Sequence, residues 1–139
     1  MGKGFSEPIA REGALKIKEI TYIHAEGYGG GALKHGPFAL LNESVPVIHI
    51  ILDDIHGELM RIAAAETAAR GVMNIIITDK PSLASNVCDP TNIINIPSNG
   101  MLTALLAVIP LQLLAYEISV LKGFNPDKPR NLAKAVTVD

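Results

Sequence analysis

VPVIHIILDDIHGELMRIAAAETAARGVMNIIIT, residues 45–78, reads as strand, helix and strand in succession. Val45 to Leu52 is an apolar, β-branched run interrupted only by Pro46 and His49, which predicts a strand buried on both faces. Gly57 to Arg70 then predicts a helix, with Gly71 as its stop. Val72 to Thr78 repeats the strand pattern.

Towards the carboxy terminus the alternation continues. Ser82 to Val87 predicts a short helix or turn, Asn92 to Ile96 a third strand, and Asn99 to Lys122 a long helix ended by Gly123 and Pro126. Towards the amino terminus, Ile9, Gly13, Ile17, Ile20 and His24 recur at the spacing of one helix face, predicting a helix from Pro8 to about Ala25 with Ser6, Glu7 and Pro8 as its start. The glycine-rich stretch Glu26 to Gly31 and the following Ala32 to Gly36, ahead of Pro37, predict a shaped loop with one helical turn. Strands buried on both faces and alternating with helices give an α/β fold, a three-layer αβα sandwich around a mostly parallel sheet. Gly2-Lys3-Gly4 is the kind of turn that leaves a strand and enters a helix, yet no strand precedes it. The expectation is a domain lacking its first strand, with an unpaired sheet edge, that is a fragment of something larger.

The chain has 139 residues, 48% hydrophobic and 19% charged, which places it among packed globular domains with one core. A net charge of −2, with both signs scattered, offers no footprint for nucleic acid or an anionic membrane. A single cysteine, Cys88, excludes an internal disulfide and a cysteine-built zinc site. Met1 to Phe5 lacks the apolar run of a signal peptide, so a reducing, cytoplasmic setting is expected. Met101 to Tyr116 is nearly all apolar, but it falls short of the roughly 20 residues a membrane span needs and carries Thr103, Pro110 and Gln112. It reads as a buried helix.

Several residues carry possible chemistry. Glu12, Lys16, Glu19 and Ile23 share one face of the first helix; by spacing alone this is a solvated ion-pair face. His35, in a loop between Lys34 and Gly36, reads alone as a structural hydrogen-bonder, and Lys134 as a tail lysine. His24, on the core face of the helix, and His49, inside a strand, read as satisfied structural histidines. Asp53, Asp54 and His56 crowd a strand end without a second set of ligands, so no metal is expected there. Cys88 has no cationic sequence neighbour and reads as a small packed residue.

Three stretches change the weight of these residues: EGALKIKEITYIHAEGY (12–28), LKHGP (33–37) and PRNLAKAVTVD (129–139). Together they resemble the glucosamine-6-phosphate synthase family, from Gly2 to the last residue. The resemblance implies a sugar isomerase (SIS) fold, with residues 1–139 similar to the second of two such copies in the family's isomerase unit. It implies a glutamine–fructose-6-phosphate transaminase activity, converting fructose 6-phosphate to glucosamine 6-phosphate with no cofactor or metal. Glu19 matches the base that moves a proton between C1 and C2 of the open sugar, and Lys16 its neighbour. His35 matches the residue that opens the sugar ring and reaches the neighbouring subunit's site, which implies a homodimer. Lys134 matches the Schiff-base lysine, and Ala133 beside it a substrate-binding position. An amine attacks the C2 ketone only when neutral, so apolar neighbours such as Leu132 and Val136 suit that task.

The chain also departs from the family. Ala32 stands where an acidic residue is usual, and the loop from Gly27 to Gly31 is unusually rich in glycine. No Ser/Thr-rich phosphate loop lies at a helix start, and no amide-hydrolysing domain is present. The first SIS copy and the glutaminase domain are therefore expected as partners from elsewhere. A non-catalytic sugar-phosphate-binding or scaffolding module is the alternative, since fold does not fix function.

Overall fold

Three parallel strands form one sheet in the order β1 (Val47–Ile50), β2 (Asn74–Thr78) and β3 (Ile93–Asn95) in a computed structural model that describes residues 1–133. Ile50 pairs with Ile77, and Ile77 with Ile94. Pro46 has no N–H to give, so the ladder opens at Val47, whose N–H donates to the Met73 carbonyl at 3.0 Å. Two-residue periodicity then sends Val47, Ile51 and Ile76 to one face, and Ile50, Leu52 and Ile77 to the other.

Each face is covered by its own helical layer. On one side α2 (Gly57–Ala68) buries Met60, Ala63, Ala64 and Thr67, spaced as a single helix stripe. On the other lie α1 (Ser6–Thr21), α3 (Thr103–Leu106) and α4 (Val108–Leu121), which supply Ala10, Ala104 and Leu111 to the second apolar cluster, joined by Ala107 from between α3 and α4. The result is the expected three-layer αβα arrangement. Gly13 lets α1 and α4 approach closely, since a Cβ there would lie 2.7 Å from a Leu111 methyl.

The first helix differs from expectation at both ends. Ser6 does not cap it; its hydroxyl accepts from the Lys3 N–H and donates to the Lys3 carbonyl, both at 2.9 Å, locking the entering turn. The helix stops at Thr21 rather than Ala25. The Thr21 hydroxyl donates to the Ile17 carbonyl at 2.7 Å and accepts the Ile23 N–H at 3.2 Å, while Tyr22 turns left-handed at φ 59°. Ile23 and His24 therefore leave the helix, and His24 is solvent-exposed rather than a core histidine, with Nε2 3.5 Å from a Glu26 carboxylate oxygen.

The long apolar helix is also modified. It runs as a 3-10 turn at Gly100–Leu102 followed by α3 and α4, with a break at Ala107. Pro110 explains the break, because it lacks the N–H that would reach the Leu106 carbonyl. Gly100–Leu121 spans 22 residues, so by length and composition it would suffice to cross a membrane, which the shorter apolar run Met101–Tyr116 did not suggest; nor is it the buried helix expected, because Leu105, Ile109, Leu113 and Tyr116 are exposed. In the structure it lies along α1 through Leu111, Ala115 and Ser119.

The sheet edge beside β1 is not bare. The Met1 carbonyl accepts the Ile50 N–H at 2.9 Å, its amino group donates to the Ile48 carbonyl, and Gly2 bridges in parallel to Gly29. Met1 thus occupies a strand's place for one rung, which the strong strand runs elsewhere had obscured.

Candidate functional site

The last two turns of α1 carry an ion-pair chain. Lys16 Nζ stands 2.7 Å from Glu19 Oε2 and 3.5 Å from Glu12 Oε1. Its hydrogen bond to Glu19 is the main cause that raises the Lys16 ammonium above the usual lysine range, so it stays charged. Half-exposed pairs of this kind add little to stability. Their effect here is geometric: one carboxylate oxygen of Glu19 is engaged, and the side chain is fixed at the helix end.

Beyond Glu19 the left-handed turn at Tyr22 presents its ring to the carboxy-terminal segment. The Tyr22 and Phe124 rings lie 4.8 Å apart at 56°. The Arg130 guanidinium sits over the Tyr22 ring, 4.1 Å from its centroid, and the Arg130 main-chain N–H donates to the Tyr22 phenol oxygen at 2.9 Å. This folds residues 129–132 back over the end of α1. Lys18, Glu19, Tyr22, Arg130, Asn131 and Leu132 line the resulting cleft of about 270 Å³. Asn131 takes a left-handed conformation at φ 60°, one that asparagine tolerates better than most residues.

Of the residues singled out in sequence, the fold brings together Lys16, Glu19 and the stretch leading to Lys134. Ala133 is exposed and is not among the residues that line the cleft. Lys134 lies outside the described residues. His35 is elsewhere. It ends a 3-10 turn, Ala32–His35, whose Leu33 is buried in the α2-side core while His35 itself is exposed. A second turn, Pro37–Leu40, follows, and Phe38 is held under the Arg70 guanidinium at 3.8 Å. The glycines ahead of His35 serve close approach: a Cβ on Gly27 would lie 2.6 Å from the Arg11 Cα, and one on Gly30 2.4 Å from the Met60 sulfur.

The remaining candidates have structural settings. His49 is fully buried, with Nε2 3.0 Å from Thr67 Oγ1 and 3.3 Å from Asn74 Oδ1. Burial lowers its pKa to about 3, which keeps it neutral, and among the described residues Nδ1 has no partner. Asn74 Nδ2 completes the network by donating to the Ala64 and Val87 carbonyls. Asp53 pairs with Lys80 at 2.9 Å, and Asp54 accepts the His56 N–H at 2.7 Å. Among the described residues, no three His, Cys, Asp or Glu side chains stand together as a metal site. Cys88 packs against the α2-side core, and burial raises its thiol pKa.

With this geometry established, comparison with known proteins identifies the lineage. A family model for the SIS domain matches residues 1–122. The chain belongs to the SIS domain family. Over its whole length, this SIS domain is 49% identical to a glutamine–fructose-6-phosphate aminotransferase (isomerizing) of Thermococcus kodakarensis and 47% identical to one of Rhizobium meliloti. It spans only 23% of the length of each. Among solved structures, the C-terminal domain of the Francisella tularensis glucosamine-fructose-6-phosphate aminotransferase matches with TM-score 0.84 and 38% identity, covering 91% of this SIS domain and 36% of that chain. An Escherichia coli tagatose-6-phosphate ketose/aldose isomerase shares the fold with TM-score 0.76 at 20% identity.

Sequence reading missed the wall of the cleft. Tyr22, Arg130 and Asn131 all lie within the quoted stretches, but the resemblance attaches roles there only to Lys16, Glu19, Ala133 and Lys134. The signal available was the pairing of an aromatic at the end of one stretch with an arginine in the other. A contact across 108 residues leaves no local pattern.

Proposed function

We propose that this SIS domain is the carboxy-terminal isomerase half of a glutamine–fructose-6-phosphate aminotransferase, acting on fructose 6-phosphate as the second SIS copy. The observation that carries the reading is the shared cleft: Glu19, held by Lys16, faces the segment that runs directly into Lys134.

The chemistry then follows from the residues. His35 opens the sugar ring, a step for which an imidazole, able to donate and accept a proton, is chemically suited. His35 lies away from the Glu19 cleft, which fits a role at the partner's site in a homodimer. The neutral Lys134 amine adds to the C2 ketone, and water leaves as the imine forms. Ammonia replaces the lysine nitrogen at C2. Glu19 takes a proton from C1, and a proton is returned to C2; the C1 alcohol becomes the aldehyde as C2 becomes the amine-bearing carbon. No external oxidant is needed. Ammonia release from glutamine and the grip on the sugar phosphate fall to the glutaminase domain and the first SIS copy, and the domain alone is inactive. Ala133, one residue before Lys134, contributes main-chain contacts to the bound sugar.

Deuterium exchange tests the reading. With a first SIS copy and ammonia supplied, fructose 6-phosphate in heavy water should gain deuterium through the parent and not through Glu19→Gln. Equal labelling by both would mean that Glu19 moves no proton, and a scaffolding role would be the better account.

A further inference from the structure

We propose that Tyr22 is a positioning residue, a clamp that holds residues 130–132 as the wall of the Glu19 cleft and thereby sets where the chain enters its last residues. The proposal rests on the isomerase reading above and extends it to a residue with no assigned role.

Three contacts converge on this one side chain. Its phenol oxygen accepts the Arg130 main-chain N–H at 2.9 Å, its ring carries the Arg130 guanidinium at 4.1 Å, and the Phe124 ring braces it at 4.8 Å. Lys122 Nζ lies 5.6 Å from the Phe124 ring centroid, so a row of cation, ring, ring and cation joins the end of α4 to the end of α1. The backbone of Tyr22 adopts the left-handed conformation, which costs a non-glycine residue some energy and serves to aim the ring at this segment.

Among the described residues, alternative supports for the segment are few. Arg130, Asn131 and Leu132 are all exposed, and none belongs to either apolar cluster. A surface segment of this kind opens easily unless something specific ties it down. Tyr22 is also a wall of the cleft itself, beside Lys18 and Glu19. Lys134 follows Leu132 by two residues, so the clamp lies between the fixed body of the fold and the amine assigned to the Schiff base.

Two substitutions separate the contacts. Tyr22→Phe keeps the ring and removes the oxygen; Arg130→Gln keeps the main-chain N–H and removes the cation. Amide hydrogen exchange of the 139-residue chain should show the Arg130 amide exchanging about tenfold faster in Tyr22→Phe, as loss of one hydrogen bond implies, with α1 amides unchanged. Arg130→Gln should give a smaller acceleration. With a first SIS copy supplied, the rate at which borohydride traps fructose 6-phosphate on Lys134 should fall in step with the loss of protection, while half-saturating sugar concentration stays the same. A purely structural contact would not produce that split.

Unchanged exchange at Arg130 in Tyr22→Phe would overturn the clamp and leave the isomerase reading standing. Faster exchange with unchanged trapping would overturn the positioning role. A parent that traps no sugar contradicts the isomerase reading, and the positioning role with it.

Discussion

Lys16 Nζ engages Glu19 Oε2 at 2.7 Å and Glu12 Oε1 at 3.5 Å, so one lysine ties the carboxylate at the cleft to a second carboxylate about two turns away. The pair is too exposed to matter much to folding. Its geometry instead predicts a difference between two variants. On the proposed reading of Glu19 as the base, Glu19→Gln should lower C1–C2 proton transfer by roughly 10²- to 10⁴-fold, the usual contribution of a general base. Lys16→Met should lower it less, because the base remains while its orientation is lost. Thermal unfolding of both should stay within about 1 kcal/mol of the parent.

The His35 loop has its own anchor in the Arg70–Phe38 contact at 3.8 Å. Arg70→Ala should cost about 1 kcal/mol and raise hydrogen exchange in the 33–41 region before any other. Exchange spread evenly over the fold would show that Arg70 does not secure this loop.

Gly27 rests against the backbone of Arg11, leaving 2.6 Å for any Cβ. Neither backbone yields cheaply, so Gly27→Ala should destabilise by about 1–3 kcal/mol in urea unfolding. The richness of this loop in glycine is therefore a packing requirement at Gly27, and the same measurement on Gly36→Ala, which meets no atom within 4 Å, isolates the backbone cost of its φ of 148°.

Burial holds His49 neutral, with its pKa lowered to about 3 from 6.5. The unfolded chain binds a proton as pH falls below about 6.5, whereas the folded chain does not until about pH 3. The stability from a neutral His49 is thus fully present above pH 6.5 and lost progressively down to about pH 3, at up to ~1.4 kcal/mol per pH unit. His49→Gln should flatten that acid limb in urea unfolding measured at several pH values. An unaltered slope would mean that other groups govern it.

Much of the fold could be read from the chain. β1, α2 and β2 were legible because both faces of the strands are apolar and the buried positions of α2 recur at helical spacing. The end of α1 was not, because Thr21 and Tyr22 carry no glycine stop; the stop is made by a threonine hydroxyl and a left-handed tyrosine. The rung from Met1 escaped notice because a single residue has no periodicity. The shared face of Glu12, Lys16 and Glu19 was legible from helical spacing, but the residues that line the cleft with Glu19 meet only through tertiary contact across 108 residues.

The central claim is that the segment beside Glu19 delivers Lys134 as the amine that condenses with the sugar. Borohydride treatment with fructose 6-phosphate, in the presence of a first SIS copy, tests it most directly. Hydride reduces the imine to a stable secondary amine, so mass spectrometry should find the sugar adduct on Lys134 of the parent. Lys134→Arg keeps the positive charge but cannot form the imine, and should carry no adduct while its isomerisation rate falls by orders of magnitude. Near-normal turnover by Lys134→Arg, or an adduct formed equally on other lysines, would contradict the account.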